Sequence, residues 1–221
     1  MVAVLASMLL IVALIALAIL AAVQKKKKER ERTQALQQRA DELGWSFEPV
    51  AEVDSIPGID RFTLYDPGHS REVRNLMYRE ADDVNTTVFD FIYSMGTDKH
   101  RTTHLQSVVH LEPIDQSFPD FSLWPEGPFD KLFSAFGYQD IDFGQRPDFS
   151  RKYILRGKDD PAIRQTFNDR LLSFYESEPG LFTDAVDNQL FVYRAQQRLE
   201  PGEIESFVDS GKQILTLLRR D

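Results

Sequence analysis

The sequence predicts an α+β protein: an N-terminal transmembrane helix and stalk, then a mostly antiparallel β-sheet domain packed by two or three amphipathic helices. Three observations predict it. Residues 2–23 hold no charge and one polar side chain, Ser7. Residues 45–112 contain short alternating segments rich in Phe, Tyr, Val and Thr, separated by turn residues. The last third carries apolar residues at helical spacing in two places.

The span comes first. Its 22 residues reach about 33 Å as a helix, against a hydrocarbon core about 30 Å thick. Lipid offers no partners to backbone N–H and C=O groups, so a helix is required. A cleaved signal peptide competes with this reading, and Ala16-Leu17-Ala18 fits a cleavage pattern. Three features oppose it: no Lys or Arg precedes the run, the run is long, and a Lys block follows at once. Residues 1–24 therefore read as a signal-anchor.

Lys25, Lys26, Lys27 and Lys28 open a collar, residues 25–32, with six basic and two acidic side chains. All positive charge flanking the span lies on its C-terminal side. The positive-inside rule then predicts a single-pass cell-membrane protein, N-terminus outside and C-terminal domain cytoplasmic. The four lysines are also candidate contacts for lipid headgroups. Residues 24–43 lack Gly and Pro and read as a helical stalk ended by Gly44. Leu36, Ala40 and Leu43 form a thin apolar stripe that docks its last two turns on the domain; a self-pairing coiled coil is the alternative. The chain thus divides into 1–24 span, 25–44 collar and stalk, and 45–221 soluble α+β domain.

Strand signals begin at Trp45-Ser46-Phe47 and continue at 62–65, before the Pro67-Gly68 turn, and at 72–78. Segments 86–94 and 102–112 flank Met95-Gly96-Thr97-Asp98-Lys99 and read as a long hairpin. Thr87, Phe89, Phe91 and Tyr93 share one face of its first strand. On the second, Leu105, Ser107, Val109 and Leu111 share one face and His104, Gln106, Val108 and His110 the other. Such a sheet covers the core with one face and leaves the other at least partly wet. Residues 121–124 suggest a strand and Pro128 opens a short helix to Phe136. After a strand at 152–156, Asp160-Pro161 starts a helix to about Tyr175, with Ile163, Phe167, Leu171 and Phe174 on one stripe. A hairpin follows, 181–183 and 190–194, turning at Asp187-Asn188. The final helix, 203–219, presents Ile204, Phe207, Val208, Gly211, Ile214, Leu215 and Leu218 on one side.

Charge and composition exclude several chemistries. The chain carries −9 overall; with +4 in residues 25–32 and none before them, residues 33–221 carry −13. An acidic domain is a poor binder of nucleic acid. With no cysteine, disulfides, thiolate metal sites and a cysteine nucleophile are ruled out. His104 and His110 lie about 20 Å apart on one strand, too far for shared metal ligation; His100 and His104 are close enough in sequence to approach each other. Gly68-His69-Ser70 sets a base beside a hydroxyl, but neighbours on a turn seldom aim at each other. Asp140 and Asp142 share a strand face, and Asp82 and Asp83 sit in a turn, without a calcium-loop pattern. Gly157-Lys158 runs into Asp159-Asp160, which repels phosphate. Phe118, Phe121, Trp124, Phe129, Phe133 and Phe136 read as core before they read as a groove. No catalytic, cofactor-binding or metal residue is singled out, and no cofactor is expected.

A resemblance adds to this. Leu43-Gly44-Trp45-Ser46-Phe47, Gly68-His69-Ser70 with Arg74-Asn75-Leu76, Phe89-Asp90-Phe91-Ile92-Tyr93, Gln106-Ser107-Val108-Val109, Asp140-Ile141-Asp142-Phe143 and the stretch 149–156 resemble uncharacterised bacterial single-pass membrane proteins with a cytoplasmic α+β domain of unknown function. The resemblance covers most of the chain and implies membrane anchoring and that fold; it brings no activity. The expectation is a non-catalytic interaction module at the inner membrane face, touching lipid through residues 2–23 and protein partners through its domain. The alternative is an enzyme with a dispersed site around 68–75 and 89–93, drawing on His69, Arg74, Asn75 and Asp90.

Overall fold

The computed structural model describes residues 2–127 and 140–219. The expected helix after Pro128, with Phe129, Phe133 and Phe136, lies outside them. The segments read as span and stalk form one unbroken helix, α1 (Val2–Leu43). At about 1.5 Å per residue it is roughly 63 Å long. It ends as the sequence signals: Gly44 adopts φ +68°, its amide bonds Asp41 O at 3.2 Å, and the Trp45 amide bonds Ala40 O at 2.8 Å. That pair of bonds satisfies carbonyls the helix leaves open, and the left-handed step is cheap only for a residue without Cβ.

Eight strands follow: β1 (Ser46–Ala51), β2 (His69–Arg79), β3 (Val84–Met95), β4 (Thr102–Pro113), β5 (Phe121–Pro125), β6 (Tyr153–Gly157), β7 (Phe182–Val186) and β8 (Gln189–Tyr193). They form one antiparallel sheet in the order β1-β2-β3-β4-β8-β7-β5-β6. Four further helices are α2 (Pro147–Lys152), α3 (Asp160–Thr166), α4 (Asp169–Ser177) and α5 (Ile204–Leu218). The α+β class with its N-terminal apolar helix is therefore observed.

Both sheet faces are covered, and this corrects the expectation of a wet one. On one face α1 and the shorter helices bury Leu36, Ala40, Val88, Val109, Leu171 and Ile214. On the other, residues 52–66 lie across the strands and insert Ile56, Ile59, Phe62 and Leu64 against Phe89, Phe91 and Phe191. The alternation is present, but both alternating sets carry buried apolar residues, so both need a cover. Residues 62–65 are accordingly not a strand. Their amides close local turns, Tyr65 N to Phe62 O at 2.9 Å and Asp66 N to Thr63 O at 3.3 Å, while Phe62 and Leu64 point into the second core.

The helix expected from Asp160 to Tyr175 is two helices. Asp159, not Asp160, caps the first by accepting from Ala162 N at 3.0 Å. Asn168 interrupts the run and caps the second, accepting from Arg170 N and Leu171 N at 3.0 Å each. The apolar stripe survives the break: Ile163, Phe167, Leu171 and Phe174 are all buried. The last helix buries the whole face assigned to it.

Candidate functional site: the junction of N-terminal helix and sheet

Side chains 8–23 of α1 stand clear of the body; Leu10, Leu14 and Leu17 are all more than half exposed. α1 is the one helix among the described residues long and apolar enough to cross a membrane. Two turns further on it meets the sheet through charge. Arg32 is 11% exposed and Asp90, on β3, 3%. Arg32 Nη2 donates to Asp90 Oδ1 at 3.1 Å and to Oδ2 at 3.2 Å, and Nη1 donates to Leu199 O at 2.7 Å. Asn75 Nδ2 donates to Asp90 Oδ2 at 2.8 Å and Ser107 Oγ to Oδ1 at 2.5 Å. Ser107 Oγ in turn accepts from Leu199 N at 2.9 Å. One turn up the helix, Glu29 accepts two bonds from Arg198 at 2.7 and 2.9 Å. Those bonds hold its carboxyl below the usual range.

Local structure explains how these groups converge. Asn75 lies at a β-bulge between Arg74 and Met77 with φ +51°, a conformation Asn tolerates better than most side chains. The extra residue turns Val73 into the second core and Met77 into the helix-side core, and aims Asn75 at Asp90. On β3, Asp90 alternates with Val88 on the helix face and with Phe89 and Phe91 on the other. The helix contributes by periodicity: 29, 32, 36, 40 and 43 fall along one side.

The expected site residues are thus partly united. Asn75 and Asp90 meet. His69 and Arg74 do not join them: Arg74 pairs with Glu72 at 2.5 Å, exposed, and His69 is at the sheet's end. There His69 and Ser70 do hydrogen-bond at 2.9 Å, against expectation, with the other ring nitrogen on Gly96 O at 2.9 Å; the strained Ser70, φ +53°, makes that aim possible. Both side chains are exposed. Arg32 and Glu29 were missed because they sit in a charged run. Extending the Leu36, Ala40, Leu43 stripe backward by one heptad finds both.

Both Asp90 oxygens accept from two protein groups each, while the buried Asn75 Oδ1 has no partner among the described residues. The junction ties α1 to the sheet.

The other candidates lie elsewhere in the fold. His104 stacks on Tyr93 and His110 on Phe191, ring centroids 5.0 and 4.4 Å apart, and burial lowers the His110 pKa to about 4. Among the described residues no group of His, Asp or Glu is arranged to hold a metal ion. Asp140 accepts from Leu155 N at 3.0 Å beside β6. Asp184 is buried and lines a cavity of about 380 Å³ together with Arg61, Thr63, Ser122, Trp124 and Arg156. Burial raises its pKa to about 6, opposed by hydrogen bonds from Thr63, Ser122 and the Leu64 amide. The Thr63–Asp184 bond pins the 52–66 cover to β7. Lys25, Lys26, Lys27 and Lys28 are all exposed, and Lys27 pairs with Glu31 at 3.7 Å.

Comparison with known proteins completes the site's context. No family model matches the chain, and no curated protein matches it. It is similar to the crystal structure of the mycobacterial trehalose monomycolate transport factor A, TtfA, with a TM-score of 0.60 over 86% of this chain and 96% of that one. Identity is 13%, so the likeness is one of fold. That similar structure is bacterial, in keeping with the bacterial proteins the sequence motifs resemble.

Proposed function

We propose that the chain is a membrane-tethered, non-catalytic interaction module on the cytoplasmic side of a bacterial cell membrane, with its N-terminus outside, serving a membrane-embedded partner. One observation carries this: a single helix runs from the apolar span into the buried Arg32–Asp90 junction without a flexible joint. A tether that only kept a domain near lipid would need no such junction. A helix bonded to β3, through a carboxylate that β2 and β4 also hold, and to the 198–199 segment fixes the body's tilt, which matters to a module that must meet something in the same membrane. The similar fold belongs to a protein named as a transport factor, and the same service to a transport system is proposed here. Residues 1–24 are the signal-anchor, 25–44 the collar and stalk, 45–221 the module, and the four lysines rest against lipid headgroups.

Crosslinking in native membranes, followed by purification of the full-length chain, tests the reading. One membrane-embedded protein is expected to crosslink through positions on the body, and Asp90→Ala to weaken that crosslink while the chain stays in the membrane. Capture of no membrane protein from any body position argues against it. Protease added to intact cells is expected to spare the body; its digestion would reverse the orientation.

A further inference from the structure

We propose that the tip of the β3–β4 hairpin, residues 96–101, is a second membrane contact that rests on anionic phospholipid headgroups. The inference builds on the reading that α1 spans a bilayer. Direction comes first. Beyond Leu43 the chain turns into β1, whose Ser46 pairs with Tyr78 of β2, itself opposite Thr87 of β3. Arg32, earlier in α1, meets Asp90. Moving back along α1 toward the span therefore moves forward along β3, toward Met95 and the hairpin tip.

The lengths agree. From Asp90 to Met95 is five strand residues, about 17 Å. From Arg32 back to Val23 is nine helical residues, about 14 Å. Measured along each element from the one ion pair, the hairpin tip and the end of the apolar span are reached over comparable lengths.

Charge completes the argument. The tip displays Lys99, His100 and Arg101, all exposed, with Asp98 the one acidic residue among 96–101. Residues 33–221 carry −13, so most of the body's surface is repelled by an anionic leaflet. A basic tip at the membrane-facing end is the complement such a surface requires. The turn is also built rather than slack. Gly96 adopts φ +77°, and a Cβ there would stand 2.4 Å from His100 O. His100 N bonds Thr97 O at 3.0 Å, and His69 holds Gly96 O from the neighbouring strand.

The chain has no cysteine, so one label can be placed at will. Full-length Thr97→Cys carrying bimane is reconstituted in phosphatidylcholine vesicles with and without phosphatidylglycerol, with spin-labelled headgroups as quencher. Asp82→Cys, at the other end of β3 about 35–40 Å away, is the reference. The expected result is quenching at 97 about two-fold or more above that at 82, since contact quenching does not reach across the length of a strand. Lys99→Gln with Arg101→Gln, or omission of phosphatidylglycerol, is expected to remove most of that excess. Equal quenching at both positions overturns the contact, and an excess at 97 that survives both changes overturns its electrostatic basis. If the protein floats with vesicles and neither label is quenched, the tether stands and the hairpin contact falls; failure to float removes both.

Discussion

Asp90 is a charge taken out of water where the N-terminal helix meets the sheet, and its partners decide what that costs. Removing one member of a buried pair leaves the other unpaired, typically at about 3–5 kcal/mol. Arg32→Met and Asp90→Asn are each expected to destabilise the body by about 3 kcal/mol or more, and the double variant by less than the sum. Denaturant unfolding of the full-length protein in micelles checks this; additive losses would mean that the pair is not coupled. Two other buried groups give opposite pH signatures. His110 is lowered to about 4 by burial. The unfolded chain therefore takes up its proton first, and stability present above about pH 6.5 is lost as pH falls toward 4. Asp184 is raised to about 6 by burial. Its contribution is full below about pH 4 and is lost as pH rises through 6. The two slopes oppose each other between pH 4 and 6. Asp184→Asn is expected to expose the acid-side loss, and His110→Gln the loss on raising pH, each amounting to about 2–3 kcal/mol across the window. Thermal unfolding at a series of pH values reads both slopes.

The break at Asn168 shows what an element's sequence does and does not disclose. Its side chain caps two amides of α4 and also donates to Leu217 O at 3.3 Å in α5. Asn168→Ala is expected to cost about 1–2 kcal/mol in chemical unfolding; no loss would mean that α4 starts without its cap. Periodicity could not reveal this break, because Phe167 continues the apolar stripe across it. Where periodicity and end signals agree, the sequence was legible: α5 with its buried face, the β3–β4 hairpin, and the Gly44 stop. The bulge at Asn75 was not, because a positive φ there is supported by Asp90, a contact distant in sequence. The cover at 52–66 was hidden for a related reason. Its apolar residues imitate a strand, yet they fill a sheet face whose backbone is already paired. Of the junction, Asn75 and Asp90 were within reach of sequence reasoning and Arg32 was concealed by the charges beside it.

At the scale of the whole molecule, the proposed anchoring through an unbroken α1 makes the body's height above the bilayer and its facing separable. Two alanines inserted after Gln24 continue the helix, turn the body by about 200° and lift it about 3 Å. Seven alanines restore the facing to within about 20° and lift it about 10 Å. A five-residue Gly-Ser insertion instead replaces the rigid link by a coil with an end-to-end span of about 12 Å. None touches the Arg32–Asp90 junction, so unfolding of the body is expected to stay within about 0.5 kcal/mol of the parent. Energy transfer from a label at Asp82→Cys to headgroup acceptors should then give one narrow distance for the parent and both alanine variants, and a broad distribution for the Gly-Ser variant. Crosslinking to a membrane-embedded partner should separate the alanine variants differently: two alanines turn the partner-facing surface away, and seven bring it back at greater height. If all three insertions crosslink like the parent, the fixed orientation conferred by the junction has no bearing on what the body meets.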